Sequence, residues 1–170
     1  MKLTRKKAME FNIVFNLLAN LKGKLKFHYT LRKNIEMLKE EIMIINNLKQ
    51  KLSELSPAQQ DYEDKRIDIC KQYAEKDENN IPKKEQLNNG ISVFVFSDKN
   101  KEIVDKEIEK LSEEYKELLD KDQQEKEEFL TFLEEQIEVE LFKFKLSEMP
   151  LDENIEQKYI NCIFELIEED

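Results

Sequence analysis

Leu87-Asn88-Asn89-Gly90-Ile91-Ser92-Val93-Phe94-Val95-Phe96 lies midway along the chain. Asn-Asn-Gly is a hairpin-turn signal, and the β-branched and aromatic run behind it has the composition of a strand. A first arm over 81–87 completes a β-hairpin, and Pro82 near its start marks an edge strand. Asp77-Glu78-Asn79-Asn80 breaks the chain ahead of that arm, and Ser97 or Asp98 stands where a helix cap belongs behind it.

Helical patterning extends outward from the hairpin on both sides. Upstream, Leu31, Ile35, Leu38, Ile42, Ile45 and Leu52 follow a heptad-like spacing in which Lys49 interrupts the seam beside Leu48, with Thr30 as the cap. Ser56-Pro57 kinks this segment, since Pro opens a new helix comfortably but disfavours helix in the residue before it. The pattern then continues through Tyr62, Ile69 and Tyr73 to about Lys76. Downstream, Val104, Ile108, Leu111, Tyr115 and Leu118 repeat the spacing, and Phe129, Phe132 and Leu133 resume it after the wholly polar run 120–128. One continuous helix to about Gln136 is expected.

The termini frame this centre. Thr4 caps a first helix carrying Ala8, Phe11, Val14, Phe15 and Leu18 on one stripe, ending at Gly23. Lys24-Leu25-Lys26-Phe27-His28-Tyr29 alternates and predicts a short strand, paired with a second at 137–146 in which Ile137, Val139 and Leu141 change phase to Phe142, Phe144 and Leu146. Asp152 caps a last helix bearing Ile155, Tyr159, Cys162, Ile163, Leu166 and Ile167. The order is nearly a mirror image about residue 88. It predicts a mainly α fold with minor β: an antiparallel two-helix coiled-coil hairpin as stalk (31–76 and 98–136), the β-hairpin at its tip (77–97), and a small α/β base of two short helices and a two-stranded ribbon formed by both termini (1–30 and 137–170).

Composition agrees with long helices, because 39% of the 170 residues are charged while only 2 Gly and 3 Pro interrupt them. An equal apolar fraction, arranged periodically, supplies the burial that a disordered chain lacks. The net charge of −10 is uneven: residues 1–52 hold 12 Lys/Arg against 4 Asp/Glu, and residues 53–170 hold 16 against 34. A solvated helix face is the ordinary meaning of such charge, although the acidic third helix could also imitate nucleic acid toward a basic protein groove. Cys70 and Cys162 read as buried thiols in a reducing compartment. No signal peptide and no stretch of about 20 apolar residues is present, so a cytoplasmic, non-membrane protein is expected.

Catalytic chemistry finds little footing. His28 is the single histidine, which rules out a two-histidine metal site and leaves a Cys–His pair as the one nucleophile option. Gly23 and Gly90 stand apart, so no phosphate loop exists. Glu134, Glu135, Glu138 and Glu140 are candidates for a carboxylate pair only if a concave, partly dry site holds them. No enzyme, metal or cofactor is expected. The cluster Lys22, Lys24, Lys26, Arg32 and Lys33, with Phe27 and Tyr29 interleaved, has the ingredients of a nucleic-acid site. Strict alternation, however, turns the aromatics inward and the lysines to water.

Several segments together resemble an uncharacterised family of small proteins encoded by phages and prophages of low-GC bacteria. They are Met1-Lys2-Leu3-Thr4, the junction Leu25-Lys26-Phe27-His28-Tyr29-Thr30-Leu31-Arg32-Lys33-Asn34, the run Gln72-Tyr73-Ala74-Glu75-Lys76-Asp77-Glu78, and Val139-Glu140 to Leu146-Ser147 followed by an acidic amphipathic helix. The resemblance implies a phage origin and no enzymatic activity, and it transfers no functional residues. Two roles fit that setting. One is an inhibitor or modulator of a host complex such as a defence system, bound through the tip residues Ile91, Val93, Phe94, Val95 and Phe96. The other is a virion structural or assembly component, with self-association through the stalk seam or a β-edge. Nucleic-acid binding through the basic cluster is a third reading. An apolar β-edge at a tip must be covered, which favours a protein partner, with Phe94 and Phe96 as the residues to test.

Overall fold

The computed structural model describes residues 1–150 and 155–169; Asp152, the expected cap of the last helix, lies outside them. The chain is mainly helical, with three two-stranded sheets among the described residues. It divides into two compact units, 1–53 with 126–170, and 54–125.

The terminal unit is built around α1 (Arg5–Leu18) and α2 (Leu25–Ser53). The Thr4 side chain accepts from the Lys7 amide at 3.1 Å and opens α1, whose Ala8, Phe11, Val14, Phe15 and Leu18 are all buried. On α2 the buried stripe is Phe27, Leu31, Asn34, Leu38 and Ile45, steps of three, four and seven that keep one side of a helix. Phe15 and Phe27 meet Phe144 with ring centroids 6.0 and 5.4 Å away, and Phe11 stacks on Phe15 at 5.6 Å. These four fully buried rings form the centre of the core, closed by Leu3, Met149, Ile163 and Leu166.

Two expectations fail here. Residues 24–29 are not a strand, and Thr30 caps nothing: 25–29 form the start of α2, with Phe27 buried while Leu25 and Tyr29 are 87% and 61% exposed. Six alternating residues fit either period, and the continuation from Phe27 to Leu31, Asn34 and Leu38 makes the helix the form that buries Phe27. The strand that pairs near the second terminus is instead β1 (Lys2–Thr4), antiparallel to β4 (Gln136–Glu138) with Leu3 opposite Ile137. Thr4 thus ends a strand and caps a helix with one extended backbone conformation.

The segment after β4 is not a continuous strand. Buried Asn34 donates to the Phe142 carbonyl at 2.9 Å and accepts from the Phe142 amide at 2.7 Å, so one side chain satisfies both groups of one peptide residue. That contact fixes the change of phase and turns Phe144 inward. β5 (Phe144–Lys145) then pairs parallel with β6 (Ile167–Glu168). The last helix, α6 (Gln157–Ile163), is correspondingly shorter than its apolar spacing predicts, and a 3-10 turn over Phe164–Leu166 delivers Ile167 to a strand.

The interior unit holds α3 (Pro57–Tyr73), β2 (Lys84–Gln86), β3 (Ser92–Phe94), α4 (Asp98–Glu114) and the first part of α5 (Lys116–Glu134). Ser56 opens α3 with a reciprocal capping box: its hydroxyl accepts from the Gln59 amide at 3.2 Å, and its own amide donates to Gln59 Oε1 at 2.7 Å. Ser97 caps α4, accepting from the Asn100 amide at 3.3 Å. α3 and α4 run antiparallel, Tyr62 meeting Ser112 at 3.2 Å at one end and Asn100 donating to the Tyr73 carbonyl at 2.8 Å at the other.

The helix expected to be continuous through 136 is interrupted at Tyr115, at φ −103° and ψ 15°. Its ring packs on Tyr62 with centroids 5.4 Å apart, while its hydroxyl donates to Asp61 and accepts from Lys65 at 2.6 Å. Three α3 side chains therefore hold this residue where α4 ends. The polar run 120–128, by contrast, is helical as expected.

Candidate functional site

The hairpin at 81–96 carries exposed apolar side chains at Ile81, Leu87, Ile91 and Val93. Its turn is a three-residue loop: Leu87 and Ile91 are joined by an amide-to-carbonyl bond of 2.8 Å, the Gly90 amide donates to the Leu87 carbonyl at 2.9 Å, and Gly90 takes φ +82°. Such loops place a left-handed residue at their last position, which is why glycine stands there. The Asn89 side chain accepts from the Ile91 amide at 3.1 Å and stiffens the turn.

The root is held as firmly as the turn. Glu75 donates its amide to the Val95 carbonyl at 2.8 Å and accepts from the Lys83 amide at 2.7 Å, while the Val95 amide donates to the Lys83 carbonyl at 3.1 Å. Lys76 bridges Pro82, and Asp77 Oδ1 accepts from the Asn79 and Ile81 amides, both at 2.9 Å. The end of α3 is thereby stitched to both arms.

Strand alternation divides the expected tip residues between two faces. The register pairs Gln86 with Ser92, Glu85 with Val93 and Lys84 with Phe94. Ile91, Val93 and Val95 share one face with Leu87, Glu85 and Lys83, and Leu87, Ile91 and Val93 are 44%, 56% and 37% exposed. Phe94 and Phe96 belong to the other face and are only half exposed, with the Lys84 ammonium lying 4.7 Å from the Phe94 ring centre. Leu87 is absent from the residues expected at the tip because in sequence it reads as the end of an arm; counting back across the turn from Ile91 puts it opposite that residue.

The basic cluster is partly consumed by its own unit. Lys24 donates to the Ser147 carbonyl at 2.6 Å, Lys26 pairs with Glu148 at 3.1 Å, and Lys33 lies 5.7 Å from the Tyr29 ring centre. Lys22 and Arg32 are exposed. The same holds for the charge asymmetry: Lys2, Arg5 and Lys6 pair with Glu138, Glu135 and Glu134 at 3.3, 2.5 and 3.2 Å. The candidate carboxylates of 134–138 thus serve as counterions to the N-terminal segment. Arg5 is the best housed of these, bonded also to Glu41 at 3.1 Å and lying 4.1 Å from the Phe132 ring centre.

His28 faces a groove of about 600 Å³ lined by Asn16, Ala19, Arg32, Ile35 and Glu36, with no cysteine among the lining residues. Both cysteines are free thiols. Burial pushes the Cys70 thiol above its ordinary value, and burial does the same to Cys162 despite Lys7 at 3.8 Å from its sulfur. Within the terminal unit the Cys162 sulfur lies against Lys7, and the groove at His28 has no cysteine in its lining. Among the described residues no group of His, Cys, Asp or Glu is arranged to hold a metal ion, and no helix is long and apolar enough to cross a membrane.

No family model, curated protein or solved structure matches this chain.

Proposed function

We propose that this chain is a non-catalytic protein-binding module that docks through the Leu87, Ile91 and Val93 face of its hairpin. The observation carrying this reading is the coexistence of exposed apolar side chains with a tightly bonded root and turn. A pre-ordered hairpin loses little conformational entropy on binding, so burying those three side chains can favour association directly. The finer reading of the fold, a coiled-coil hairpin stalk with the β-hairpin at its tip, is supported within 54–125 by the antiparallel run of α3 against α4.

The partner proposed is a host complex, a defence system being the leading class, which rests on the resemblance to phage-encoded proteins. The test is affinity capture from phage-infected host lysate with the wild-type chain and with a variant carrying Leu87→Ser, Ile91→Ser and Val93→Ser. Recovery of a host complex by the wild type and its loss in the variant is the expected result. Recovery of tail or capsid proteins in its place would make the chain a virion component, and equal capture by both proteins would remove the hairpin face as the site.

A further inference from the structure

The hairpin also has two edges, and they are protected unequally. The edge of β2 carries Pro82, Lys83 and Lys84 and is shielded at its root by residues 75–77. Proline and lysine on an edge are the usual means of preventing strand addition. β3 has neither: no charged residue occurs between Glu85 and Asp98, in a chain that is 39% charged.

The register fixes which β3 groups point outward. Amide-to-carbonyl bonds join Leu87 with Ile91 and Lys83 with Val95, so the pairs 87/91, 85/93 and 83/95 are the hydrogen-bonded ones. Ser92 and Phe94 occupy the alternate pairs. Their amides and carbonyls face away from β2 and have no partner among the described residues.

These groups are complementary to themselves. If a second β3 lies antiparallel with its Val93 opposite the first, Ser92 of each strand faces Phe94 of the other, and both meetings are hydrogen-bonded pairs. A two-fold axis at Val93 then satisfies all eight outward groups, and it brings the two Leu87, Ile91 and Val93 faces side by side. We propose that β3 is a self-association edge, pairing two copies of this chain into a four-stranded sheet centred on Val93.

The charge and size of the contact set its strength. The strand itself is neutral, but two chains of net charge −10 repel, so added salt should strengthen pairing. Two short strands bury far less than the roughly 1,600 Å² of a standard stable interface, which makes the dimer weak and concentration-dependent. Edge pairing leaves the apolar face open, so self-association stands whether or not a different protein docks there.

Sedimentation equilibrium of the purified full chain tests it. The mass should rise from 20.5 kDa towards twice that value with concentration, and more readily in high salt. Val93→Lys, which sets two ammonium groups against each other at the axis, should weaken pairing roughly tenfold or more. Ser92→Pro, which removes an outward amide without touching the bonds to β2, should do the same. Val93→Cys should form an intermolecular disulfide under mild oxidation, because opposed residues of a non-bonded pair sit about 4.5 Å apart at Cα, and the wild-type chain with Cys70 and Cys162 should not. A monomer mass at every concentration and salt, a dimer that survives Val93→Lys, or no intermolecular cross-link in the Val93→Cys variant would each overturn the proposal.

Discussion

The two units differ most in the size of their cores. In 1–53 with 126–170, four phenylalanines and the surrounding aliphatic residues are packed into one buried cluster, and basic and acidic segments distant in sequence neutralise one another. In 54–125 only Cys70, Ala74, Val104 and Leu111 are buried, and an apolar hairpin face remains in solvent. The first unit has the larger core, although Leu25, Leu130 and Phe164 remain exposed on it. The second has few buried apolar side chains, and its hairpin is held by backbone hydrogen bonds at root and turn.

Substitutions should separate the two regimes. The largest loss is expected from Phe144→Ala, which leaves a hole where Phe15 and Phe27 converge and should cost about 3–5 kcal/mol in urea unfolding. Leu111→Ala in the thinner core of the interior unit should cost nearer ~2 kcal/mol. A larger loss at Leu111 than at Phe144 would break the comparison. Next comes Asn34→Leu, which strands both peptide groups of Phe142 and should cost about 1–3 kcal/mol, against a near-neutral outcome if water replaces the amide.

The sequence was readable where one local rule acts alone. Thr4, Ser56 with Gln59, and Ser97 cap helices as their positions predict, and Asn88-Asn89-Gly90 turns the hairpin. Reading failed where distant residues decide. Residues 24–29 satisfy a strand pattern until the stripe of α2 claims Phe27, β1 is too short to show a period, and the ending of α6 depends on Phe144 offering an edge to Ile167. At Tyr115 the heptad spacing runs on while Asp61 and Lys65 take hold of the hydroxyl. The hairpin was legible as an element, but which of its residues face solvent followed only from the register.

Smaller effects sharpen the account of the interior unit. Ser56→Ala removes the hydroxyl half of the capping box and should cost about 1 kcal/mol, recovered in part by Ser56→Asp. The Tyr115 hydroxyl, followed by Lys65, holds the Asp61 carboxyl below its ordinary value of 3.8. A carboxylate depressed in the folded state contributes stability above the unfolded value and loses it as pH falls through the depressed one. Asp61→Asn should therefore slightly lower stability at neutral pH and flatten the decline below pH 3.8, measured by unfolding at a series of pH values.

The exposed hairpin face is proposed to bind a partner without holding the fold together. Its most direct test sets two variants side by side in capture from infected lysate, Leu87→Ser with Ile91→Ser on one face and Phe94→Ser on the other, each with its unfolding curve. Loss of capture in the first alone, with its stability within about 0.5 kcal/mol of wild type, is the predicted result. Capture that survives the first variant and fails in the second would contradict the account.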